Sequence, residues 1–185
     1  MAGNHPDTGR AFVQYEIFGG GAGAASFRDG VSGTSINHSN TRIASIEIVE
    51  TEFPVRAREF RLLPDSGGAG RYRGGLGFVR EYEILAEEAR FSVRAGKHLK
   101  PARGVEGGGN GRPGACIVNP GTQGERALPS RTADLRLVRG DVVRLETPGG
   151  GGFGRLEERE AALIERDLAE GFVTREGMRK AQGGD

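Results

Sequence analysis

Polar residues of types that could bind a ligand gather in one stretch near the N-terminus. Arg28-Asp29-Gly30 is followed by His38 and Asn40, and the glycine run at 19–23 precedes them. Glycine lacks a side chain and so lets a ligand or a partner chain approach the backbone closely, and loops of this kind often carry binding residues. The stretch indicates either a binding loop or a hydrogen-bonded surface loop, and both interpretations stay open.

Two glycine patterns have the G-x-G-x-x-G spacing of a dinucleotide-binding loop. The first, residues 109–114, precedes a predicted strand instead of the helix whose N-terminus would hold a pyrophosphate. The second, residues 149–154, lies between a predicted strand and a predicted helix. Glu157 and Glu158 would repel a phosphate there, and the chain that follows is too short to complete a βαβ unit. We interpret the first pattern as a chance match and the second as a tight strand-to-helix connection.

Other patterns for catalysis or metal binding do not occur in the sequence. The histidines His5, His38 and His98 lie far apart, without the spacing of a metal motif. Gly96-Lys97 is followed by His98 and is not part of a P-loop, and there is no G-x-S-x-G nucleophile motif. Cys116 lies in an apolar stretch and is predicted to be a small buried hydrophobe. The catalytic residues are therefore unknown, and we expect no cofactor or metal on this chain.

Composition restricts the class of protein. The 185 residues include 33 glycines and 8 prolines, which predicts a folded but loop-rich chain. A net charge of +1 argues against a nucleic-acid binder, which needs a basic excess to neutralise phosphates. No apolar run reaches the roughly 18–20 residues that cross a bilayer, and no signal peptide is visible. Because a single cysteine fits a reducing compartment, we expect a cytoplasmic protein without a membrane partner.

The elements that must position these residues are mainly strands. Alternating polar and apolar residues between glycine-rich turns predict a mainly β (α+β) fold, built as an antiparallel sheet or sandwich. A change of phase near Glu59 predicts a β-bulge. Strand 78–85 is predicted to pair with 89–95, and strand 135–137 with 143–145 through a hairpin at Arg139-Gly140-Asp141. The remaining predicted strands cover residues 11–18, 45–48, 54–62 and 115–118.

Three regions follow from these patterns. Residues 1–10 are polar and aperiodic, which predicts a flexible leader. Residues 11–154 form the β-rich domain, and residues 155–185 form a helical appendage. In the appendage, residues 156–170 predict an amphipathic helix that ends before Gly171, and Thr174 is predicted to cap a second short helix.

The order of the loops resembles that of a known family. The most specific part is the stretch 63–77, which contains Pro64-Asp65-Ser66-Gly67-Gly68-Ala69-Gly70. The other matching segments are 18–24, 28–33, 40–41, 52–55, 119–121, 128–130, 140–142 and 146–154. Together they resemble the C-terminal region of the hydantoinase B/oxoprolinase family, from about residue 11 onward.

This resemblance implies a role in an ATP-dependent complex. Family members work with a hydantoinase A-type subunit, which handles ATP, and open cyclic amides such as 5-oxoproline, hydantoins or lactams. An acetone and acetophenone carboxylase branch carboxylates ketones instead. The common step is phosphorylation of an amide or enolate oxygen. The resemblance implies that loops 19–30, 36–42 and 65–77 face the substrate cavity or a partner chain. The candidate residues are Gly20, Gly21, Arg28, Asp29, His38, Asn40, Asp65 and Arg73.

The resemblance also implies that other polypeptides complete the site. B-type subunits are longer, and the Asn-Asp-Pro and Gly-x-His-x-x-Asp stretches of their N-terminal half do not occur here. We expect this chain to be the C-terminal part of a B-type subunit and inactive alone. Its expected partners are an A-type subunit that binds ATP and the N-terminal part of a B-type subunit that holds a divalent metal. The carboxylase branch, a non-catalytic scaffold and the relic of a truncated gene stay open as alternatives.

Overall fold

The structure is a computed structural model that describes residues 1–35 and 41–183, and it consists mainly of strands. The strands are β1 (Ala2–Asn4), β2 (Ala11–Val13), β3 (Val55–Leu62), β4 (Phe78–Ile84), β5 (Glu88–Arg94), β6 (Ala115–Val118), β7 (Arg126–Ala127), β8 (Arg131–Val138) and β9 (Val142–Glu146). The helices are α1 (Ile46–Glu52), α2 (Ala161–Ala169) and α3 (Arg175–Gly183), and a 3-10 turn at Leu156–Glu158 precedes α2. The predicted β-rich fold with C-terminal helices is confirmed.

The strands form two antiparallel sheets that share one core. One sheet has the order β2-β1-β5-β8, and the other has the order β3-β4-β9-β6-β7. Phe91 and Leu137 of the first sheet pack with Tyr82, Ile84 and Val143 of the second in one buried apolar cluster. Removing apolar surface from water contributes about 25 cal/mol per Å², so this shared cluster holds the two sheets together.

Two predicted strand pairings are wrong, although the strands themselves are present. β4 and β5 lie in different sheets, and so do β8 and β9, because the chain crosses between the sheets after β4 and after β8. The crossings lie side by side: Gly140 N–H donates to the Ile84 carbonyl at 2.9 Å, and Ile84 N–H donates to the Asp141 carbonyl at 2.8 Å. β4 therefore pairs with β9, and β5 with β8. Alternation identifies a strand but not its partner, since every strand backbone offers the same hydrogen bonds.

The N-terminal residues are not all part of a flexible leader. Ala2–Asn4 form β1, which lies between β2 and β5. A Cβ at Gly3 would lie 2.8 Å from the Glu88 carbonyl oxygen and 3.1 Å from the Phe12 ring, so the absence of a side chain lets the strand fit there. This strand could not be predicted from the short polar sequence, because the hydrogen bonds that place it in the sheet come from the backbone and leave no side-chain pattern.

The predicted strand at 45–48 is the beginning of helix α1. The Ser45 hydroxyl accepts a hydrogen bond from the Ile48 N–H at 3.4 Å, and Val49 is buried. Four alternating residues are too few to distinguish the two-residue period of a strand from the 3.6-residue period of a helix. A serine at the N-cap position favours the helix.

Three predicted local details are confirmed. The register of β3 against β4 shifts between Ala57 and Glu59. Gly171 follows α2 with a φ of +69°. The Thr174 hydroxyl accepts a hydrogen bond from the Gly177 N–H at 2.9 Å at the beginning of α3.

The first C-terminal helix is shorter than predicted. α2 begins at Ala161, since the backbones of Arg159 and Glu160 are extended and the Arg159 side chain is buried. Among the described residues, none of the helices has both the length and the apolar character needed to cross a membrane.

Candidate functional site

The glycine-rich segments of the chain meet in one place, which we call the glycine cluster. It consists of residues 19–24, 66–77, 102–114 and 149–154. Gly75 N–H donates to the Ala22 carbonyl at 2.8 Å, Gly150 N–H donates to the Gly75 carbonyl at 2.9 Å, and Gly68 N–H donates to the Gly150 carbonyl at 2.8 Å. The cluster is therefore held by backbone hydrogen bonds between segments that are far apart in sequence.

Glycine is required in the cluster because the backbones approach too closely for a side chain. A Cβ at Gly21 would lie 1.8 Å from the Gly75 carbonyl oxygen, and one at Gly20 would lie 2.5 Å from the Pro148 carbonyl oxygen. Collagen requires glycine at its crowded axis for the same steric reason. The close approach predicted at Gly20 and Gly21 is thus made by other segments of the same chain.

The loop at 149–154 has no free set of N–H groups for a phosphate. Gly149 N–H donates to the Arg112 carbonyl at 3.0 Å, Gly152 N–H donates to the Gly109 carbonyl at 3.0 Å, and Gly150 N–H is bonded within the cluster. A phosphate-binding loop needs such groups to point at the ligand. The interpretation of this loop as a connection between β9 and the C-terminal helices is confirmed.

Five charged residues tie the glycine cluster to the C-terminal helices, and we call them the charged network. Asp29 accepts hydrogen bonds from the Arg159 guanidinium at 2.7 and 2.9 Å and from the Arg73 backbone N–H at 2.7 Å. Asp167 accepts one from Arg159 at 2.6 Å and one from the Arg73 side chain at 3.1 Å. Arg166 donates to Asp29 at 3.0 Å. Two of the predicted candidates, Asp29 and Arg73, are thereby brought together.

The charged network shifts the pKa values of Asp29 and Arg159. Burial alone would raise the pKa of Asp29, but the hydrogen bonds and charges of Arg159 and Arg73 outweigh it, so the pKa lies below its ordinary value. Burial alone would lower the pKa of Arg159, but Asp29 and Asp167 outweigh it and raise that pKa. Asp29 and Arg159 are therefore both held in their charged forms, as a pair that positions the loop at Asp29 requires.

Asp65 fastens the last helix. Its carboxylate accepts hydrogen bonds from the Thr174 N–H at 2.8 Å and from the Thr174 hydroxyl at 2.7 Å. Its own N–H donates to the Phe172 carbonyl at 3.0 Å. A carboxylate at the N-terminal end of α3 also interacts favourably with the helix dipole. The structure therefore gives Asp65 a capping contact with the C-terminal appendage.

A cavity of about 610 Å³ lies between the glycine cluster and the C-terminal helices. Asp65 and Arg73 line it, together with Asn110, Arg159 and Asp167. The four charged groups in this set are all bonded to protein partners. The cavity thus collects two of the predicted candidates, and their contact with substrate stays a prediction.

The remaining predicted candidates are not part of this arrangement. Arg28 is exposed, and its guanidinium lies 5.8 Å from the centre of the Phe27 ring. Since the neighbouring Asp29 is anchored in the charged network, the loop holds Arg28 toward solvent. His38 and Asn40 lie outside the described residues.

Sequence reasoning missed Arg159 and Asp167. One signal for Asp167 was available: it is placed four residues after Leu163 and three after Ile164, on the face predicted to be apolar. An acidic residue on such a face needs a buried partner. The sequence offers no comparable signal for Arg159.

Among the described residues, neither Cys116 nor a group of metal-binding side chains forms a second candidate site. Cys116 is buried, as predicted, and burial raises the pKa of its thiol to about 12. Within residues 1–35 and 41–183, no three or more His, Cys, Asp or Glu side chains are grouped so that they could hold a metal ion. The described residues thus offer no donor set for a metal.

Comparison with known proteins identifies the family. The family model described as hydantoinase B/oxoprolinase matches residues 1–156. The chain is 36% identical over 143 residues to 5-oxoprolinase 1 of Arabidopsis thaliana, covering 77% of this chain and 11% of that protein. The crystal structure of the ATP-dependent caprolactamase from Pseudomonas jessenii superposes with a TM-score of 0.80 at 27% identity, covering 96% of this chain and 32% of that one. An acetone carboxylase structure, at a TM-score of 0.75 and 19% identity, shares the fold over 88% of this chain and 26% of that one.

The chain thus spans less than a third of the length of the relatives and structures it matches. The match nevertheless includes both sheets and the whole glycine cluster. The chain belongs to the hydantoinase B/oxoprolinase family.

Proposed function

We propose that this chain is the C-terminal part of a B-type subunit in an ATP-dependent complex that hydrolyses cyclic amides, opening a 5-oxoproline, hydantoin or lactam ring. The observation that carries the proposal is the similarity to 5-oxoprolinase and to the ATP-dependent caprolactamase, whose names specify two different cyclic amides. In such a reaction, phosphorylation of the amide oxygen makes the amide carbon open to attack by water.

In this proposal other polypeptides supply the nucleotide and metal chemistry. ATP binds to an A-type subunit, and a divalent metal binds to the N-terminal part of the B-type subunit. The supporting observations are that the glycine loops are filled by their own backbone contacts and that the described residues hold no group of metal ligands. The proposed contribution of this chain is to wall the substrate cavity and to dock the other chains.

The charged network suits that contribution because it makes the loops rigid. Asp29 anchors its loop to Arg73 and Arg159, while the adjacent Arg28 extends into solvent with a guanidinium suited to a carboxylate or a phosphorylated oxygen. Arg28 does not line the cavity of about 610 Å³, so we propose that it faces a substrate cavity that forms when the other chains dock. The exposed Arg126 on β7 is a matched control, since it has the same charge and is also exposed but lies outside the loop that Asp29 anchors.

Co-expression tests the proposal. The full chain is produced with the A-type subunit and the rest of the B-type subunit from the same genome, and ATP hydrolysis is measured with 5-oxoproline, hydantoin, caprolactam, or bicarbonate plus acetone. We expect turnover with one cyclic amide, a large loss with Arg28→Ala and little change with Arg126→Ala. Turnover that needs bicarbonate and a ketone would assign the chain to the carboxylase branch. Full activity without this chain, or with Arg28→Ala, would identify it as a scaffold or a relic.

A further inference from the structure

Residues 14–18 form an extended stretch with an apolar outer side, which we call the open segment. Side chains alternate along it and along the preceding β2. Val13, Tyr15 and Ile17 lie outward with exposed fractions of 73%, 80% and 46%, whereas Gln14 is buried and Glu16 is half-buried. Isolated exposed apolar residues are common on proteins, but three in strand register form a continuous apolar strip.

The backbone of the open segment is paired only at its first residue. Met1 and Gln14 exchange two hydrogen bonds, each of 2.7 Å, which extend the β1–β2 ladder by one residue. From Tyr15 to Phe18, no backbone N–H or carbonyl has a hydrogen-bond partner among the described residues. An unpaired strand edge is a template for another strand, and proteins usually protect such edges with charges, proline or a covering element. This edge carries apolar side chains instead.

Buried polar atoms beneath the same segment also lack hydrogen bonds. Within the described part of the chain, the buried side-chain atoms without a hydrogen-bond partner are Gln14 Oε1, Glu16 Oε1 and the three guanidinium nitrogens of Arg80. Arg80 is 0% exposed, and the aromatic rings of Phe18, Phe60 and Tyr82 surround its guanidinium at 5.5, 5.2 and 5.0 Å. Its Nη2 lies 3.3 Å from the Glu16 carboxylate without hydrogen-bond alignment. The three ring faces and the nearby Glu16 carboxylate compensate the buried charge in place of hydrogen bonds.

We propose that the open segment is an interface that receives an extended strand from the polypeptide completing the B-type subunit. The incoming strand lies in line with β1 and antiparallel to the open segment, where it pairs with the backbones of Glu16 and Phe18, which face the same side as that of Gln14. Its outer side chains are apolar and pack on Tyr15 and Ile17. Strand addition of this kind takes affinity from main-chain hydrogen bonds and specificity from alternate side chains.

The length of the relatives favours this occupant over a second copy of the chain. In the caprolactamase structure the matching region is 32% of the chain, so most of that polypeptide remains to cover the surfaces of this region. The inference rests on the proposed function, because it identifies which surface the rest of the B-type subunit covers.

Hydrogen exchange and binding measurements test the inference. The full chain is mixed with the polypeptide of the same genome that matches the rest of the B-type subunit. We expect the amides of Glu16 and Phe18 to exchange rapidly in the chain alone and at least about tenfold more slowly in the complex, as ladder hydrogen bonds form. Tyr15→Glu and Ile17→Glu should each weaken binding at least about tenfold, because a charge is buried against apolar groups. Leu99→Glu, at a side chain that is 88% exposed, should bind as the wild type does. Unchanged thermal midpoints show that the variants fold.

Several outcomes would overturn the inference. These are wild-type binding by Tyr15→Glu, amides of Glu16 and Phe18 that are already protected in the chain alone, or protection that arises from self-association. If the complex is active while both variants bind normally, the strand inference fails and the proposed function stands. If the amides become protected but no cyclic amide is hydrolysed, the proposed function fails and the interface stands. If the wild-type chain does not bind the polypeptide, both fail.

Discussion

Replacing Gly21 by alanine should strongly destabilise the protein, because the new Cβ would overlap the backbone of the glycine cluster. It would lie 1.8 Å from the Gly75 carbonyl oxygen and would have to retreat by about 1.2 Å to reach 3.0 Å, the shortest separation that real Cβ atoms show. That shift stretches two hydrogen bonds, from Gly75 N–H to the Ala22 carbonyl and from Gly150 N–H to the Gly75 carbonyl. Each bond contributes about 1 kcal/mol and overpacking costs about 1–3 kcal/mol, so we expect a loss of about 3–5 kcal/mol.

Gly23→Ala is the matched control within the same loop. The nearest atom to a Cβ at Gly23 is the Gly151 carbonyl oxygen at 3.9 Å, which is ordinary contact. This change should be neutral or should stabilise the protein by up to about 1 kcal/mol, because alanine restricts the unfolded chain. Thermal unfolding followed by circular dichroism should show the thermal midpoint of Gly21→Ala lowered by about 6–20 °C. Guanidinium unfolding should show its denaturant midpoint lowered as well. Equal stability of the two variants would refute the steric account of the cluster.

Three further predictions concern the buried and capping groups. The pKa of Asp29 is lowered in the folded state, so its stabilisation is present above the unfolded pKa of about 3.9 and is lost as pH falls through the folded value. Guanidinium titrations over a range of pH should therefore show Asp29→Asn less stable at neutral pH and less sensitive to acid, unlike Asp7→Asn at an exposed site. In Asp65→Gly, glycine can adopt the local φ of +58°, but the capping carboxylate is lost. Amide hydrogen exchange should therefore quicken across Arg175–Gly183 while the sheets stay protected. Unchanged exchange in that helix would contradict the cap. Since burial raises the pKa of the Cys116 thiol to about 12, iodoacetamide should modify it slowly in the native protein and rapidly in urea, and rapid native labelling would contradict the assigned burial.

Features that depend on a few neighbouring residues could be predicted from the sequence. The bulge in β3, the glycine after α2 and the threonine cap of α3 follow from alternation, left-handed geometry and side-chain capping. The candidate loops could also be identified, because runs of glycine and polar residues mark places where backbones approach closely. Several of the selected residues, including Gly21, Asp29 and Arg73, do lie in the arrangement that the structure shows.

Strand partners and the environment of each candidate required the folded chain. β4 pairs with β9 and not with β5, which follows it in sequence. Backbone hydrogen bonds are alike in every strand, so the partner of each strand depends on how the two sheets pack in the whole fold. Asp29 meets Arg159 across 130 residues, and Arg73 meets Asp167 across 94 residues. No local pattern encodes a contact at such a separation, because the two charges are brought within hydrogen-bond distance only when the sheets and helices pack. Folding thereby brings Asp29 and Arg73 into contacts that hold the C-terminal helices against the glycine cluster, while their contact with a ligand stays a prediction. Among the described residues, it leaves the backbone at 15–18 without a hydrogen-bond partner.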